Sequence, residues 1–124
     1  MNYDDALEQA LKSAGFDPAA GIDLVGGDPD FFAELVGDLY EEFLSDPSDF
    51  MPLTAPAPDD TSDAIRKVHS LKSSLRTLGG GALADLAEQV ERDLRTGDFS
   101  VEKVQRLNIE VAQLRGQLLP FVKS

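Results

Sequence analysis

Apolar residues in this chain return at intervals of three and four in several separate runs, each closed by glycine or proline, and almost nowhere do they alternate in twos. Such a pattern is buried by helices packed side by side and not by a sheet. A first short helix is predicted from Tyr3 to Ser13, with Leu7, Ala10 and Leu11 on one side. Gly15 stands at its C-terminal cap and Phe16 follows as the apolar partner. A second opens at Asp28-Pro29, a capping acid before a proline in the first helical position. Phe31, Phe32, Leu35, Val36, Leu39, Tyr40 and Phe43 then give it a wide apolar face, so these aromatic residues read as core.

From Ser45 to Asp60 the pattern breaks. Pro47, Pro52, Pro56 and Pro58 sit among Asp, Ser and Thr, which predicts a loop over about 46–60 with a single helical turn near Pro47 to Met51. A third helix should begin between Asp60 and Ser62 and run to Leu78, where Gly79-Gly80-Gly81 ends it. The fourth spans Ala82 to Arg95 on Leu83, Leu86, Ala87, Val90 and Leu94, and Gly97 closes it. Ser100 caps a fifth carrying Val104, Leu107, Val111, Leu114, Leu118 and Phe121. Short links between the last three make them antiparallel neighbours. The expected fold is all-α: an antiparallel up-down four-helix bundle with a short additional N-terminal helix, in one domain, since 124 residues support one core.

Composition narrows the function. With no cysteine, neither a disulfide framework nor a thiolate metal site is available. The start, Met1-Asn2-Tyr3-Asp4-Asp5, is too acidic for a signal peptide, and charges interrupt every apolar stretch, so a cytoplasmic protein without a membrane span is expected. Met1 and the short length favour a free-standing chain; a monomer is expected. A net charge of -12 repels nucleic acid and anionic lipid. The charge is uneven, however. No acid occurs between Asp63 and Asp85, where Arg66, Lys67, Lys72 and Arg76 contribute +4, leaving the remainder near -16. A basic segment in an acidic protein points to the handling of a small anion.

The only histidine lies in that segment. At about 100° per residue, Ala64, Val68, Leu71, Leu75 and Leu78 gather in one sector of the third helix, its core stripe, and His69 falls roughly opposite. On the histidine's own face stand Lys72, Ser73 and Arg76, with Ile65 and Ser62 one to two turns earlier. An imidazole titrates near neutrality, at ~6.5, and its free lone pair is nucleophilic. Neighbouring cations work against the protonated form and can hydrogen-bond the oxygens of a phosphoryl group. Ile65, apolar on a solvent face, is then a docking contact, beside Arg66 and Ser62. Set against this, single exposed histidines flanked by Lys or Arg are common on solvated helices.

His69-Ser70-Leu71-Lys72-Ser73-Ser74, then Leu78-Gly79, then Leu83-Ala84-Asp85-Leu86-Ala87 resembles the signature of histidine-containing phosphotransfer (HPt) domains. Gly26-Gly27-Asp28-Pro29-Asp30-Phe31-Phe32 through Phe43-Leu44 is similar to the segment that opens the bundle in that family, so the resemblance covers about 21–121. It implies a phosphorelay carrier in which His69 accepts a phosphoryl group on Nε2 and Lys72 sits beside it. The partner would be the receiver domain of a response regulator, or a hybrid histidine kinase, which brings the aspartate and Mg²⁺. The carrier would have no cofactor and no independent turnover, hence would not be an enzyme. Two departures stand out: Ser73 where the family usually has glycine, a hydroxyl that can hydrogen-bond phosphate beside Lys72 and Arg76, and the proline-rich loop where the family often continues a helix. They leave an alternative, a degenerate bundle that binds a receiver without being phosphorylated.

Other constellations fail. Asp59-Asp60-Thr61-Ser62-Asp63 starts like a calcium loop but has Ala64 and Ser70 at the positions of the required glycine and glutamate, so those acids read as helix caps. The triple glycine lacks the lysine of a phosphate-binding loop, one histidine does not hold zinc, and no nucleophile-elbow pattern occurs.

Overall fold

The computed structural model describes residues 1–122, and regular structure among them is entirely helical. The helices are α1 (Asp5–Ser13), α2 (Pro18–Leu24), α3 (Pro29–Leu39), α4 (Thr61–Thr77), α5 (Gly81–Thr96) and α6 (Val101–Val122). A π-helical turn, Tyr40–Leu44, prolongs α3, and a 3-10 turn, Pro58–Asp60, leads into α4. Residues 123 and 124 of the expected single domain lie outside the described residues.

Aspartates start the first three helices. Asp4, Asp17 and Asp28 each accept hydrogen bonds from backbone N–H groups two or three residues on, and Pro18 and Pro29 occupy first helical positions. Gly15 ends α1 in a left-handed conformation, with the Phe16 N–H bonded to the Leu11 carbonyl and the Phe16 ring buried. Gly79 repeats the device after α4, where the Gly80 N–H reaches the Leu75 carbonyl.

Each helix turns its stripe inward. Leu7 and Leu11 of α1, Phe32, Ala33, Val36 and Leu39 of α3, Val68, Leu71 and Leu75 of α4, and Leu107, Leu114 and Leu118 of α6 are buried in one core. The most extensive packing is that of α4 on α5; α6 packs on α5, on the π-helical turn and on α1, while α2 bridges α1, α3 and α4. Cross-links between α4 and α5 join His69 to Glu91 and Arg76 to Asp85 and Glu88, so position falls on one as it rises on the other. That hairpin is antiparallel.

The structure departs from the sequence-based expectation at four places. Between the helices expected to end at Ser13 and to open at Asp28, α2 forms; Asp17-Pro18 carries the same start signal as Asp28-Pro29, but a seven-residue helix is too short to show periodicity. Phe31 is 45% exposed instead of core, because its position in α3 lies on the flank beyond Leu35, away from the Phe32, Val36 and Leu39 centre. No helical turn forms at 47–51, yet Phe50 and Met51 are buried. Finally, the Asp60 side chain makes no capping hydrogen bond; the Thr61 hydroxyl donates instead to the Ala57 carbonyl, closing the 3-10 turn.

Candidate functional site

α4 exposes the edge that carries His69. Val68, Leu71 and Leu75 hold the helix down on the core, which turns position 69 outward, and the His69 side chain is 51% exposed. The ring is anchored nonetheless. Its Nδ1 lies 3.2 Å and 3.1 Å from the two carboxylate oxygens of Glu91, on the facing side of α5. Glu91 occupies the apolar stripe of its own helix, with Ala87 one turn before and Leu94 one turn after, and only 7% of its side chain is exposed.

A carboxylate in that position requires partners. Lys72 Nζ sits 2.8 Å from Oε1, and Arg95 donates from Nε at 3.0 Å and Nη2 at 2.8 Å to Oε2. Burial pushes the Glu91 carboxyl up, but the hydrogen bonds from Lys72, Arg95 and His69 outweigh it and hold it down at about 2. Glu91 is therefore an anion at neutral pH and only accepts hydrogen bonds. The Nδ1 beside it must carry the ring proton, which leaves the lone pair of a neutral imidazole on Nε2. A half-exposed ring in a fixed tautomer, with a buried carboxylate behind it, can attack an electrophile and can stabilise the positive charge that builds as it does so.

The remaining residues on this face divide. Lys72 joins the histidine through their shared carboxylate and is mostly covered. Arg76 turns elsewhere: Nη2 lies 3.3 Å from Asp85 and 3.2 Å from Glu88 on α5. Ser73 is exposed and its backbone carbonyl accepts from the Thr77 hydroxyl. Ile65 is half-buried against the core, whereas Ser62 and Arg66 are exposed, Arg66 pairing with Asp63. Lys67 leaves the face altogether, donating to the Phe50 carbonyl and lying over the Phe50 ring.

The electrostatic expectation is thus corrected. The sequence suggests an imidazole among cations alone, but each cation of 64–84 meets an acid or a carbonyl in the fold, and the charge nearest the ring is negative. Glu91 and Arg95 went unnoticed because they lie more than twenty residues downstream. One signal was available: an acid at a position where the stripe of α5 demands an apolar side chain. Among the described residues no cluster of His, Cys, Asp and Glu could hold a metal ion, and no helix is long and apolar enough to cross a membrane.

The family model of the Hpt domain matches residues 30–117, more than half of the chain, and the chain belongs to that family. Its members are phosphocarrier modules of two-component signalling that work with receiver domains and kinases. No curated protein and no solved structure matches the chain.

Proposed function

We propose that this chain is a phosphorelay carrier in which Nε2 of His69 takes a phosphoryl group from, or returns it to, the aspartate of a receiver domain. The observation that carries the reading is the lock between Nδ1 and the buried Glu91 carboxylate, which makes Nε2 the nucleophile of a half-exposed ring. In the accepting direction the Nε2 lone pair forms a P–N bond as the aspartyl P–O bond breaks, and the aspartate carboxylate leaves with the electron pair. Nδ1 keeps its proton, and the positive charge on the ring faces Glu91. The helix holds the nucleophile in place, which matters most for in-line transfer.

Lys72 is the cation that meets the phosphoryl oxygens, since it already lies on the carboxylate shared with the ring. Arg76 has the lesser part, because its guanidinium is directed to Asp85 and Glu88 and not to the carboxylate beside the ring. The exposed Ser73 hydroxyl can also support the phosphoryl group, and Ser62, Ile65 and Arg66 form the surface on which a receiver, free or within a hybrid histidine kinase, docks. The carrier needs no cofactor of its own, and Mg²⁺ belongs to the receiver. We read the whole chain as one cytoplasmic, monomeric domain, with α3 to α6 as an antiparallel up-down four-helix bundle and α1 and α2 as additions to it. The contacts of α6 with α5 and with the turn that ends α3 support that arrangement.

Incubation with a phosphorylated receiver or a cognate hybrid kinase should give an acid-labile, base-stable label on wild type. His69→Gln should take none while its helical circular dichroism stays the same. The exposed Ser73 favours a second reading, a bundle that binds receivers without being phosphorylated. Binding by an unlabelled wild type would establish that reading and end the first.

A further inference from the structure

Arg95 meets the site through the Glu91 carboxylate. It stands one turn after Glu91 on α5 and gives two N–H groups to Oε2, while Lys72 holds Oε1 and the imidazole spans both oxygens. Glu91 thus carries two full cations on separate oxygens, one more than neutralising it requires. A Glu–Arg pair four residues apart is commonplace on an exposed helix face. Here the carboxylate is buried and shared across two helices, and that changes what the second cation is for.

The carrier has two charge states. With the ring free, Lys72 belongs to Glu91. With a dianionic phosphoryl group on Nε2, its oxygens compete for the same ammonium, three residues along the same helix face. Were Lys72 the only cation on Glu91, this exchange would strand a buried carboxylate, among the costliest ions a protein interior can hold. The carboxyl would then draw a proton, and the hydrogen bond that keeps Nδ1 protonated would weaken.

We propose that Arg95 is a positioning residue for phosphotransfer, the standing counter-ion of Glu91 that frees Lys72 to turn from Oε1 to the phosphoryl oxygens. Throughout the exchange Arg95 stays on Oε2 and keeps the carboxylate ionised behind the ring. Arginine suits the task because its charge is permanent and its fork places two N–H groups on one oxygen. The inference rests on His69 being the carrier.

The test uses phosphoramidate, a small donor that removes any direct contact between Arg95 and a receiver. Nε2 forms its P–N bond as the donor's P–N bond breaks and ammonia, already protonated in the donor, departs with the bonding pair. Labelling of His69, followed by phosphorus NMR, should slow about tenfold in Arg95→Gln and recover most of the loss in Arg95→Lys. Arg95→Gln should add nothing in a Glu91→Gln background, where no charge needs holding. A wild-type measurement makes the test independent of variant folding: on phosphorylation the Lys72 ammonium resonance should move while the Arg95 Nε–H resonance stays. An Arg95→Gln rate equal to wild type, an undiminished loss in the Glu91→Gln background, or an Arg95 signal that moves while the lysine's does not, would each overturn the proposal. A wild type that takes no label on His69 from this donor or from a phosphorylated receiver sinks the carrier reading itself; label on wild type with an unaltered Arg95→Gln sinks the role of Arg95 alone.

Discussion

At the scale of single residues, Glu91 decides most of the site's behaviour. Its carboxyl is held down at about 2 in the fold against an ordinary value of 4.5, so its interactions stabilise the protein above about pH 4.5 and are lost as the pH falls toward 2. The gap in urea stability between wild type and Glu91→Gln should therefore be widest near neutral pH and narrow through that window. A gap of constant width would mean that the carboxylate is not the anion the geometry requires. Lys72→Ala should slow transfer from a phosphorylated receiver without lowering the melting temperature appreciably, because Arg95 still neutralises Glu91. Equal transfer rates would remove Lys72 from the phosphate's surroundings.

At the scale of elements, two attachments off the main helices hold the site's frame. The proline-rich segment is not a free loop: buried Asn108 of α6 accepts from the Met51 N–H at 2.9 Å and donates to the Met51 carbonyl at 2.8 Å. Asn108→Ala leaves both backbone groups unpaired and should cost about 2–3 kcal/mol in urea unfolding, with faster amide exchange around 50–51. The second attachment is α2, which packs on the end of α4 at Gly21. A methyl group there would overlap the Leu78 carbonyl and come within 2.6 Å of the Phe32 ring, and the adjoining turn is tied by the Asp17 N–H to the Gly79 carbonyl. Gly21→Ala should destabilise by about 1–3 kcal/mol, as overpacking does, and thermal unfolding measures it. Both variants leave His69 untouched, so labelling of the folded fraction should persist.

At the scale of the whole molecule, the excess of negative charge outweighs individual ion pairs. With a net charge of -12 the compact state repels itself, and most of the pairs that could offset this are exposed and worth little. Raising the salt concentration should therefore raise the melting temperature, because screening within a Debye length of ~10 Å at 0.1 M relieves the repulsion more than it weakens the pairs. A falling melting temperature would put the network around Glu91 above the global term. The acidic surplus lies outside the α4 segment, as its acid-free stretch indicates, but the cations of that stretch are largely taken up by acids of α5. The site is a mixed-charge face and not a basic one.

Periodicity and punctuation determined the helices that build the core, because stripes at three and four residues and caps such as Asp28-Pro29, Gly79 and Gly97 act within one or two turns of chain. The same local geometry turned His69 away from the stripe of α4, so the exposed ring was legible. Short-range signals fail where the partner comes from another element. α2 owes its place to a missing side chain at Gly21, the buried Phe50 and Met51 to an asparagine on α6, and the tautomer of His69 to an acid on α5. A buried charge is tolerated only if its counter-charges arrive from elsewhere in the fold, and which ones arrive is a matter of helix packing that no single run of sequence contains.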